Sequence, residues 1–239
     1  MIIEGTYFSK SLSRHVSYVA VLPKTLTPNT HVLFLLHGVN ANEKAWLVNT
    51  PLPDLANENN IAFFCPNGEN SFYTDHQDGE DYGTAIGQEF YDAMAATFRL
   101  DFSYLNVALA GYSMGGYGAV KLGLQFPYYS ALGAFSPAFI FYKRHRGDPV
   151  FKHVFAKGLE GSENDAVYLY QKLLEASQPL PQIRLYCGDA DPLDEHTRAF
   201  KQAVDAMAPA PLAYQRQHGF HDFSLWRPAL TDFIAHLWH

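Results

Sequence analysis

The sequence contains 239 residues, of which 48% are hydrophobic and 17% are charged. This length suffices for one domain with a large core, and the composition is that of a folded globular protein. The formal net charge of −7 argues against a nucleic-acid partner, and two cysteines, Cys65 and Cys187, are too few for a disulfide scaffold and indicate a reducing compartment.

The N-terminal part of the chain predicts an edge of a sheet. Residues 2–9 and 15–22 alternate apolar and polar side chains, which is typical of an antiparallel pair of strands. The first residues lack the pattern of a signal peptide, and no apolar run reaches membrane-spanning length. We therefore expect a cytoplasmic protein that has no association with a membrane.

Two continuous apolar runs predict central strands. The runs at 31–38 and 61–65 are typical of strands that are buried on both faces of a parallel sheet. Helices are predicted around 43–49 and over 84–99, and a loop is predicted over 70–83.

The second half of the chain continues this alternation. Strands are predicted over 131–135, 183–187 and 212–217, and helices over 115–125, 195–208 and 223–238. The segment 136–178 contains no obvious strand and has a helical pattern near 165–176, so we expect a cap-like insertion there. The whole pattern predicts an α/β fold in a single domain, 1–239, with a mostly parallel central sheet and helices on both faces.

The segment 105–118 carries the clearest chemical signal. An apolar strand is predicted to break at Gly111, to expose Ser113 and to turn at once into a helix. This is the Gly-x-Ser-x-Gly pattern of a nucleophilic serine in its proper place between a strand and a helix. Glycine is needed on both sides because side chains would collide in so tight a turn. Since the short pattern also arises by chance, it requires catalytic partners elsewhere in the chain.

A nucleophilic serine needs a base and a carboxylate that orients the base. The acid is expected just after the strand at 183–187, where Asp191 is the preferred candidate and Asp189 the fallback. Asp194 and Glu195 are more distant alternatives. Aspartate is also common in turns without any chemical role, so the position rather than the residue type supports this choice.

The base is expected after the last strand, in the chain order Ser, Asp, His. His221 stands at the end of that loop, just before the final helix, and is preferred over His218, which lies nearer the strand. A metal site made of these two histidines is disfavoured, because no cluster of Cys, Asp or Glu has matching ligand spacing. We therefore expect neither a metal nor another cofactor.

Two backbone N–H groups are needed to bind the oxyanion that develops during acyl transfer. The N–H of Met114, directly after the serine, is the first candidate. The second is the N–H of Val39, in the loop after the strand that ends at Leu36-His37-Gly38. Its position after that strand suggests this role.

Seven short segments, spread over nearly the whole chain, carry a family resemblance. They are LLHGVNAN at 35–42, PNG at 66–68, SFY at 71–73, GYSMGGYGA at 111–119, GSEND at 161–165, CGDAD at 187–191 and HDF at 221–223. Together they resemble the esterase D group of the α/β-hydrolase superfamily, which includes tributyrin-type acetyl esterases, S-formylglutathione hydrolases and feruloyl esterases. The resemblance implies an α/β-hydrolase fold, with Ser113 as nucleophile, Asp191 as acid and His221 as base. It also implies Val39 and Met114 as oxyanion donors.

The function predicted from these residues is that of a serine carboxylesterase. It would hydrolyse short-chain acyl esters, from acetyl to butyryl-like, through an acyl-enzyme on Ser113. The candidate walls of the substrate site are aromatic: Tyr73, Phe139, Phe141, Tyr142 and Phe151.

Two alternatives stay open. A thioesterase of the S-formylglutathione hydrolase type would use the same triad, and a catalytically inactive hydrolase fold would serve as a binding protein. The expected partner is a small-molecule ester, and the sequence leaves the formation of a homo-oligomer open.

Overall fold

Eight strands form one sheet in the computed structural model, which describes residues 1–139, 149–207 and 212–238. The strands are β1 (Ile2–Ser9), β2 (Arg14–Val21), β3 (His31–Leu36), β4 (Ile61–Pro66), β5 (Val107–Tyr112), β6 (Ala131–Phe135), β7 (Gln182–Gly188) and β8 (Leu212–Gln217). Their spatial order is β1-β2-β4-β3-β5-β6-β7-β8. The strands β3 to β8 run parallel, and β2 is antiparallel to both of its neighbours. The mostly parallel α/β sheet predicted from the sequence is confirmed.

Helices cover both faces of this sheet. Within the described residues they are α1 (Ala45–Asn49), α2 (Leu52–Asn59), α3 (Tyr82–Thr84), α4 (Phe90–Phe98), α5 (Met114–Gln125), α6 (Pro149–Val154), α7 (Ala166–Glu175), α8 (Asp194–Asp205) and α9 (Phe223–Ala235). A π-helical turn, Ala85–Glu89, joins α3 to α4, and a 3₁₀ turn, Tyr104–Asn106, precedes β5. None of the helices in the described ranges combines the length and the apolar character needed to cross a bilayer.

Each face of the sheet has its own apolar core. In β3, Val32 and Phe34 belong to one core, whereas Leu33 and Leu35 belong to the other, as the alternation of side chains along a strand requires. Helices α4, α5, α7 and α8 complete the first core, and α1, α2 and α9 complete the second. Burial on both faces explains why the central strands read as continuous apolar runs.

Three elements differ from the sequence-based expectation. The sequence pattern does not predict α2, in which Pro51 is the N-cap and Pro53 falls in the first turn, where a missing N–H breaks no helical hydrogen bond. Strand β5 continues through Gly111 instead of breaking there. The helix expected over 84–99 begins at Tyr82 and contains the π-helical turn.

The segment 136–178 connects β6 to β7 and carries α6 and α7. The helical pattern expected there corresponds to α7, and the carboxylate of Asp165 caps this helix by accepting two backbone N–H groups of its first turn. Tyr117 of α5 donates a hydrogen bond to the carbonyl oxygen of Asn164 at 2.7 Å. The segment is thereby joined to the helix that follows Ser113.

The parallel strands place the candidate residues at one edge of the sheet. Because β3 to β8 run in the same direction, the loops after β3, β5, β7 and β8 all emerge at their carboxyl ends. Ligands of open α/β sheets bind outside this edge. The candidate nucleophile, acid, base and first oxyanion donor, Val39, lie in these four loops, and Met114 begins the helix that follows β5.

Candidate active site

Ser113 lies at the turn between β5 and α5 in a strained backbone conformation. Its φ of 54° and ψ of −118° lie outside the regions that residues with a side chain favour, and such strain costs about 1–3 kcal/mol. Its N–H donates to the carbonyl oxygen of Phe135 at 2.9 Å, and its carbonyl oxygen accepts the N–H of Ala138 at 2.9 Å. The turn after β6 therefore holds Ser113 in this conformation.

Gly111 and Gly115 allow the close approach of backbone segments on either side of Ser113. A Cβ atom on Gly111 would lie 2.3 Å from the carbonyl oxygen of Gly115, and one on Gly115 would lie 2.4 Å from that of Leu36. Both obstacles are backbone atoms, which cannot rotate away as the end of a side chain can. This geometry agrees with the steric role expected of the two glycines.

His221 links Ser113 to Asp191. Its Nε2 atom lies 3.0 Å from the Oγ of Ser113, and its Nδ1 atom lies 3.0 Å and 3.1 Å from the two carboxylate oxygens of Asp191. An ionised carboxylate can only accept, so Nδ1 carries the hydrogen and Nε2 accepts from the serine hydroxyl. The structure therefore brings together the three residues that the sequence analysis selected.

The environment of Asp191 keeps its carboxylate charged. The side chain of Asp191 is 0% exposed, whereas that of His221 is 29% exposed. Burial by itself raises the pKa of Asp191, but hydrogen bonds from His221, from the Ser136 hydroxyl and from the Leu193 N–H outweigh it and hold the pKa below its usual value. A charged acid is what stabilises an imidazolium beside it.

The other candidates for acid and base have different partners. His218 is 82% exposed at its side chain, and its Nδ1 lies 3.1 Å from a carboxylate oxygen of Asp189, so these two form a separate surface pair. The buried carboxylate of Asp194 binds Arg216, and Glu195 is exposed in the first turn of α8. Within the described ranges, no group of three or more His, Cys, Asp or Glu side chains is arranged to hold a metal ion.

The two candidate oxyanion donors follow neighbouring strands, Val39 in the loop after β3 and Met114 at the start of the helix after β5. Strands β3 and β5 pair through Leu36 and Gly111, which places the loop of Val39 beside the Ser113 turn. Met114 is the first residue of α5, where the N–H groups have no acceptor within the helix. In the described part of the chain, no hydrogen-bond acceptor contacts the N–H of Val39 or Met114. Neither N–H is used by the described residues, as the role of an oxyanion donor requires.

His37 fastens the loop of Val39, a role that the sequence pattern does not indicate. Its Nδ1–H donates to the carbonyl oxygen of Gly38 at 2.8 Å, and its Nε2 accepts the N–H of Gly68 at 2.9 Å. The hydroxyl of Tyr73 donates to the carbonyl oxygen of His37 at 2.9 Å. Burial lowers the pKa of His37, and the neutral imidazole provides the one donor and one acceptor that these contacts need.

The candidate substrate walls lie only partly within the described residues. Those outside are Phe141, Tyr142 and the side chain of Phe151. Tyr73 is fully buried behind the loop of Val39, and Phe139 is buried and stacks on Phe200 with the ring centroids 4.2 Å apart. Tyr73 and Phe139 thus lie behind the surface of the site and support its shape.

Comparisons with known proteins agree with this geometry. The family model described as "Putative esterase" matches residues 9–237 of the chain. The chain is also similar to the acetyl esterase of Caldicellulosiruptor saccharolyticus, with 28% identity over an alignment of 260 residues that covers 97% of this chain and 96% of that protein.

Two solved structures from Staphylococcus aureus are similar over almost the whole chain. The fluorophosphonate-binding serine hydrolase FphF has a TM-score of 0.89 at 25% identity, and the S-formylglutathione hydrolase FrmB has a TM-score of 0.87 at 25% identity. Each alignment covers 98% of this chain and 97% of the other. The resemblance read from the sequence and the α/β-hydrolase fold that it implies are confirmed. The chain belongs to the esterase family whose model matches residues 9–237, and it is a serine hydrolase of carboxylic esters.

Proposed function

We propose that the enzyme hydrolyses short-chain carboxylic esters through an acyl-enzyme on Ser113, with His221 as base and Asp191 as acid. The observation that carries this proposal is the continuous hydrogen-bonded chain from the Ser113 hydroxyl through His221 to a buried, charged Asp191. A serine hydroxyl is a weak nucleophile at neutral pH, and a base held in this geometry activates it.

The reaction follows from these positions. The Oγ of Ser113 attacks the acyl carbon while the Nε2 of His221 takes its proton, and Asp191 stabilises the resulting imidazolium. The N–H groups of Val39 and Met114 donate to the oxygen of the tetrahedral intermediate. His221 then returns the proton to the leaving alcohol. A water molecule, deprotonated by the same imidazole, attacks the acyl carbon of the acyl-enzyme. The bond from this carbon to the Oγ of Ser113 then breaks, His221 returns the proton to Oγ, and the carboxylic acid leaves.

Packing beside the nucleophile supports a short acyl group. Four buried rings pack against one another there: Phe72, Tyr117, Phe139 and Phe155. Tyr117 lies one helical turn beyond Ser113, so this cluster fills volume on the α5 side of the serine. The similarity to an acetyl esterase supports the same substrate class.

A second candidate is the hydrolysis of S-formylglutathione. The similarity to FrmB favours it, and the same three residues would act, because the nucleophile attacks a carbonyl carbon in both reactions. The two candidates differ in the leaving group, which is a thiolate in one case and an alkoxide in the other.

We also propose a cytoplasmic location for the enzyme. Cys65 and Cys187 are buried and free in the structure. Unpaired cysteines are usual in the reducing compartments of the cell, whereas oxidising compartments favour disulfides.

Labelling with a fluorophosphonate probe tests the nucleophile. The native enzyme is expected to label and to hydrolyse p-nitrophenyl acetate, and Ser113→Ala is expected to do neither. Ser103→Ala is the matched control, since Ser103 is exposed and its hydroxyl contacts only Asp101 among the described residues. Labelling of Ser113→Ala to the native level would show that another residue is the nucleophile.

A substrate panel tests the acyl length and the leaving group. We expect kcat/KM to fall by about tenfold or more from the butyrate to the octanoate ester, if the buried rings near α5 limit the space for the acyl chain as proposed. S-formylglutathione is measured in parallel. A strong preference for this thioester over all of the p-nitrophenyl esters would establish the second candidate instead.

A further inference from the structure

Ser136, the residue directly after β6, lies between the nucleophile and the acid. It is fully buried, has a φ of 47°, and donates its N–H to the carbonyl oxygen of Tyr186 at 2.7 Å. Its neighbours hold the nucleophile, since Phe135 accepts the N–H of Ser113 and Ala138 donates to the Ser113 carbonyl oxygen. One short turn therefore fixes the backbone of Ser113 and places Ser136 between the strands that precede the nucleophile and the acid.

Trp226 of α9 determines the direction of the Ser136 hydroxyl. The indole Nε1–H donates to the Oγ of Ser136 at 2.9 Å. An indole can only donate, so Ser136 is the acceptor in this bond and its own hydrogen points elsewhere. Strand β6 lies between β5 and β7, so Ser136 lies beside the turn that follows β7. The neighbours of its hydroxyl there are the Asp191 carboxylate and the Cys187 thiol, and the carboxylate is much the stronger acceptor, so the hydrogen is assigned to it.

The ring of Trp226 also contacts the base. It packs edge-on against the imidazole of His221, with centroids 4.9 Å apart and an interplanar angle of 89°. It stacks on Tyr112, the residue before Ser113, at 4.4 Å and 22°. Trp226 thus contacts His221 directly and is linked to Asp191 through the hydroxyl of Ser136.

We propose that Ser136 and Trp226 are positioning residues that orient Asp191 and His221 for the reaction. The hydrogen-bonded chain then runs from Trp226 through Ser136, Asp191 and His221 to Ser113, and this inference rests on the proposed function of that triad. Both side chains are buried and act through the acid and the base. Glycine would adopt the backbone conformation of Ser136 without strain but would lack the hydroxyl that the acid binds.

Loss of the Ser136 hydroxyl has two consequences for Asp191. The carboxylate becomes freer to rotate, so fewer molecules hold the imidazole of His221 in line with the nucleophile. The charged carboxylate also loses a donor, so the pKa of Asp191 rises and the group takes up its proton at a higher pH. A carboxylate with a higher proton affinity also binds the Nδ1–H of His221 more strongly and favours the protonated form of the His221–Asp191 pair. The acid limb of the pH profile of kcat/KM, which reports protonation of the base, is then expected to move to higher pH. Simple destabilisation of the fold would not move this limb.

Two replacements of Ser136 separate the hydroxyl from the backbone strain. Ser136→Ala removes the hydroxyl and keeps the strain, whereas Ser136→Gly removes both. We expect each to lower kcat for p-nitrophenyl acetate by about 10- to 100-fold, the effect of one hydrogen bond to a charged group, with little change in KM. Each is also expected to move the acid limb to higher pH. The matched control is Ser130→Ala, at the opposite end of β6, where the hydroxyl contacts the carbonyl oxygen of Val107.

A double-mutant cycle tests the part played by Trp226. Trp226→Phe keeps a ring beside His221 but removes the Nε1–H. We expect a smaller loss of kcat than in Ser136→Ala, and no further loss when the two changes are combined, because the indole acts through the hydroxyl. If the two losses multiply in the double variant, Trp226 acts independently of Ser136. That result would refute the proposed link from Trp226 through Ser136 to Asp191.

The positioning role is refuted if both Ser136 variants keep the native kcat and the native acid limb. It is also refuted if their losses of activity follow their unfolding temperatures, as those of a merely destabilised enzyme would. Ser113→Ala separates this failure from that of the proposed function. An inactive Ser113→Ala variant beside normal Ser136 variants refutes the positioning role alone, whereas an active Ser113→Ala variant refutes the triad on which it rests.

Discussion

The Nε2 atom of His221 lies 3.0 Å from the Oγ of Ser113, although 108 positions separate the two residues in the chain. The parallel sheet makes this approach possible, because β5 and β8 end at the same edge. Directly after the histidine, Asp222 caps α9 by accepting the N–H of Ser224 at 2.8 Å. The loop of His221 is therefore held by a strand on one side and by a capped helix on the other.

The two histidines of this loop are expected to differ sharply in importance. His221→Ala removes the proposed base and should lower kcat/KM for p-nitrophenyl acetate by roughly 10⁴-fold or more. His218→Ala removes the exposed pair with Asp189 and a ring contact with Phe220, and it should change kcat/KM by less than about threefold. Steady-state kinetics on both variants checks the ranking, and a larger loss in His218→Ala would contradict it.

The two aspartates after β7, Asp189 and Asp191, are also expected to differ in their effect on activity. Asp191→Asn keeps the shape of the side chain but replaces one acceptor with an amide, which favours the wrong tautomer of His221. The expected loss in kcat is about 10³- to 10⁴-fold. Asp189→Asn alters a group that bonds to His218 and to the N–H of Gly219 and should leave kcat nearly unchanged. Comparable values of kcat for the two variants would refute Asp191 as the acid.

The support of the Val39 loop by His37 is expected to affect kcat more than KM. His37→Gln disrupts the bond from the Gly68 N–H and loosens the loop that carries the Val39 amide. Because an oxyanion donor acts mainly in the transition state, we expect kcat to fall by about 10- to 100-fold with KM little changed. Tyr73→Phe removes one bond to the same loop and should cause a smaller loss. An effect confined to KM would show that the loop binds substrate without stabilising the oxyanion.

The sequence predicts the sheet well because burial on both faces leaves a strong pattern. The runs at 31–38 and 61–65 correspond to β3 and β4, and their lack of polar alternation is what a doubly covered parallel sheet requires. The candidates for acid and base could also be selected, because each directly follows a strand or precedes a helix at the carboxyl edge. Their positions relative to the predicted strands and helices therefore identified them as candidates.

Contacts between distant side chains could not be predicted in the same way. Ser136 and Trp226 are 90 positions apart, and neither belongs to a motif that indicates a hydrogen bond between them. His37 bonds to backbone atoms, which leave no trace in the residue types of its partners. Such contacts depend on the exact placement of turns, and the sequence pattern does not specify that placement.

Lys121 provides a test of stability that is separate from the chemistry. It is fully buried in α5, and its Nζ donates to the carbonyl oxygen of Tyr73 at 3.2 Å. Burial lowers its pKa to about 8, although the charges of Asp75 and Glu163 oppose this change. The charged ammonium therefore destabilises the folded state at neutral pH.

The sign of the resulting pH dependence follows from the protons bound in each state. Below pH 8 the lysine is protonated in both states, so the destabilisation is complete. Between about 8 and the ordinary value of 10.5, the unfolded chain keeps a proton that the folded chain has released, and the free energy of unfolding rises with pH. Relative to Lys121→Met, which has no group to titrate there, the native enzyme should gain on the order of 2–3 kcal/mol between about pH 7 and pH 10. Urea unfolding of both proteins at several pH values measures this difference.

Lys10→Met is the matched control, because Lys10 is exposed and its loss should leave the pH dependence of the native enzyme unchanged. The comparison between variants matters because tyrosines of the unfolded chain begin to titrate near the upper end of this range in every protein tested. Their contributions cancel in the difference, whereas that of Lys121 does not. A difference between the native enzyme and Lys121→Met that stays constant with pH would mean that the buried ammonium keeps its proton, held by Asp75 and Glu163 more strongly than burial opposes it.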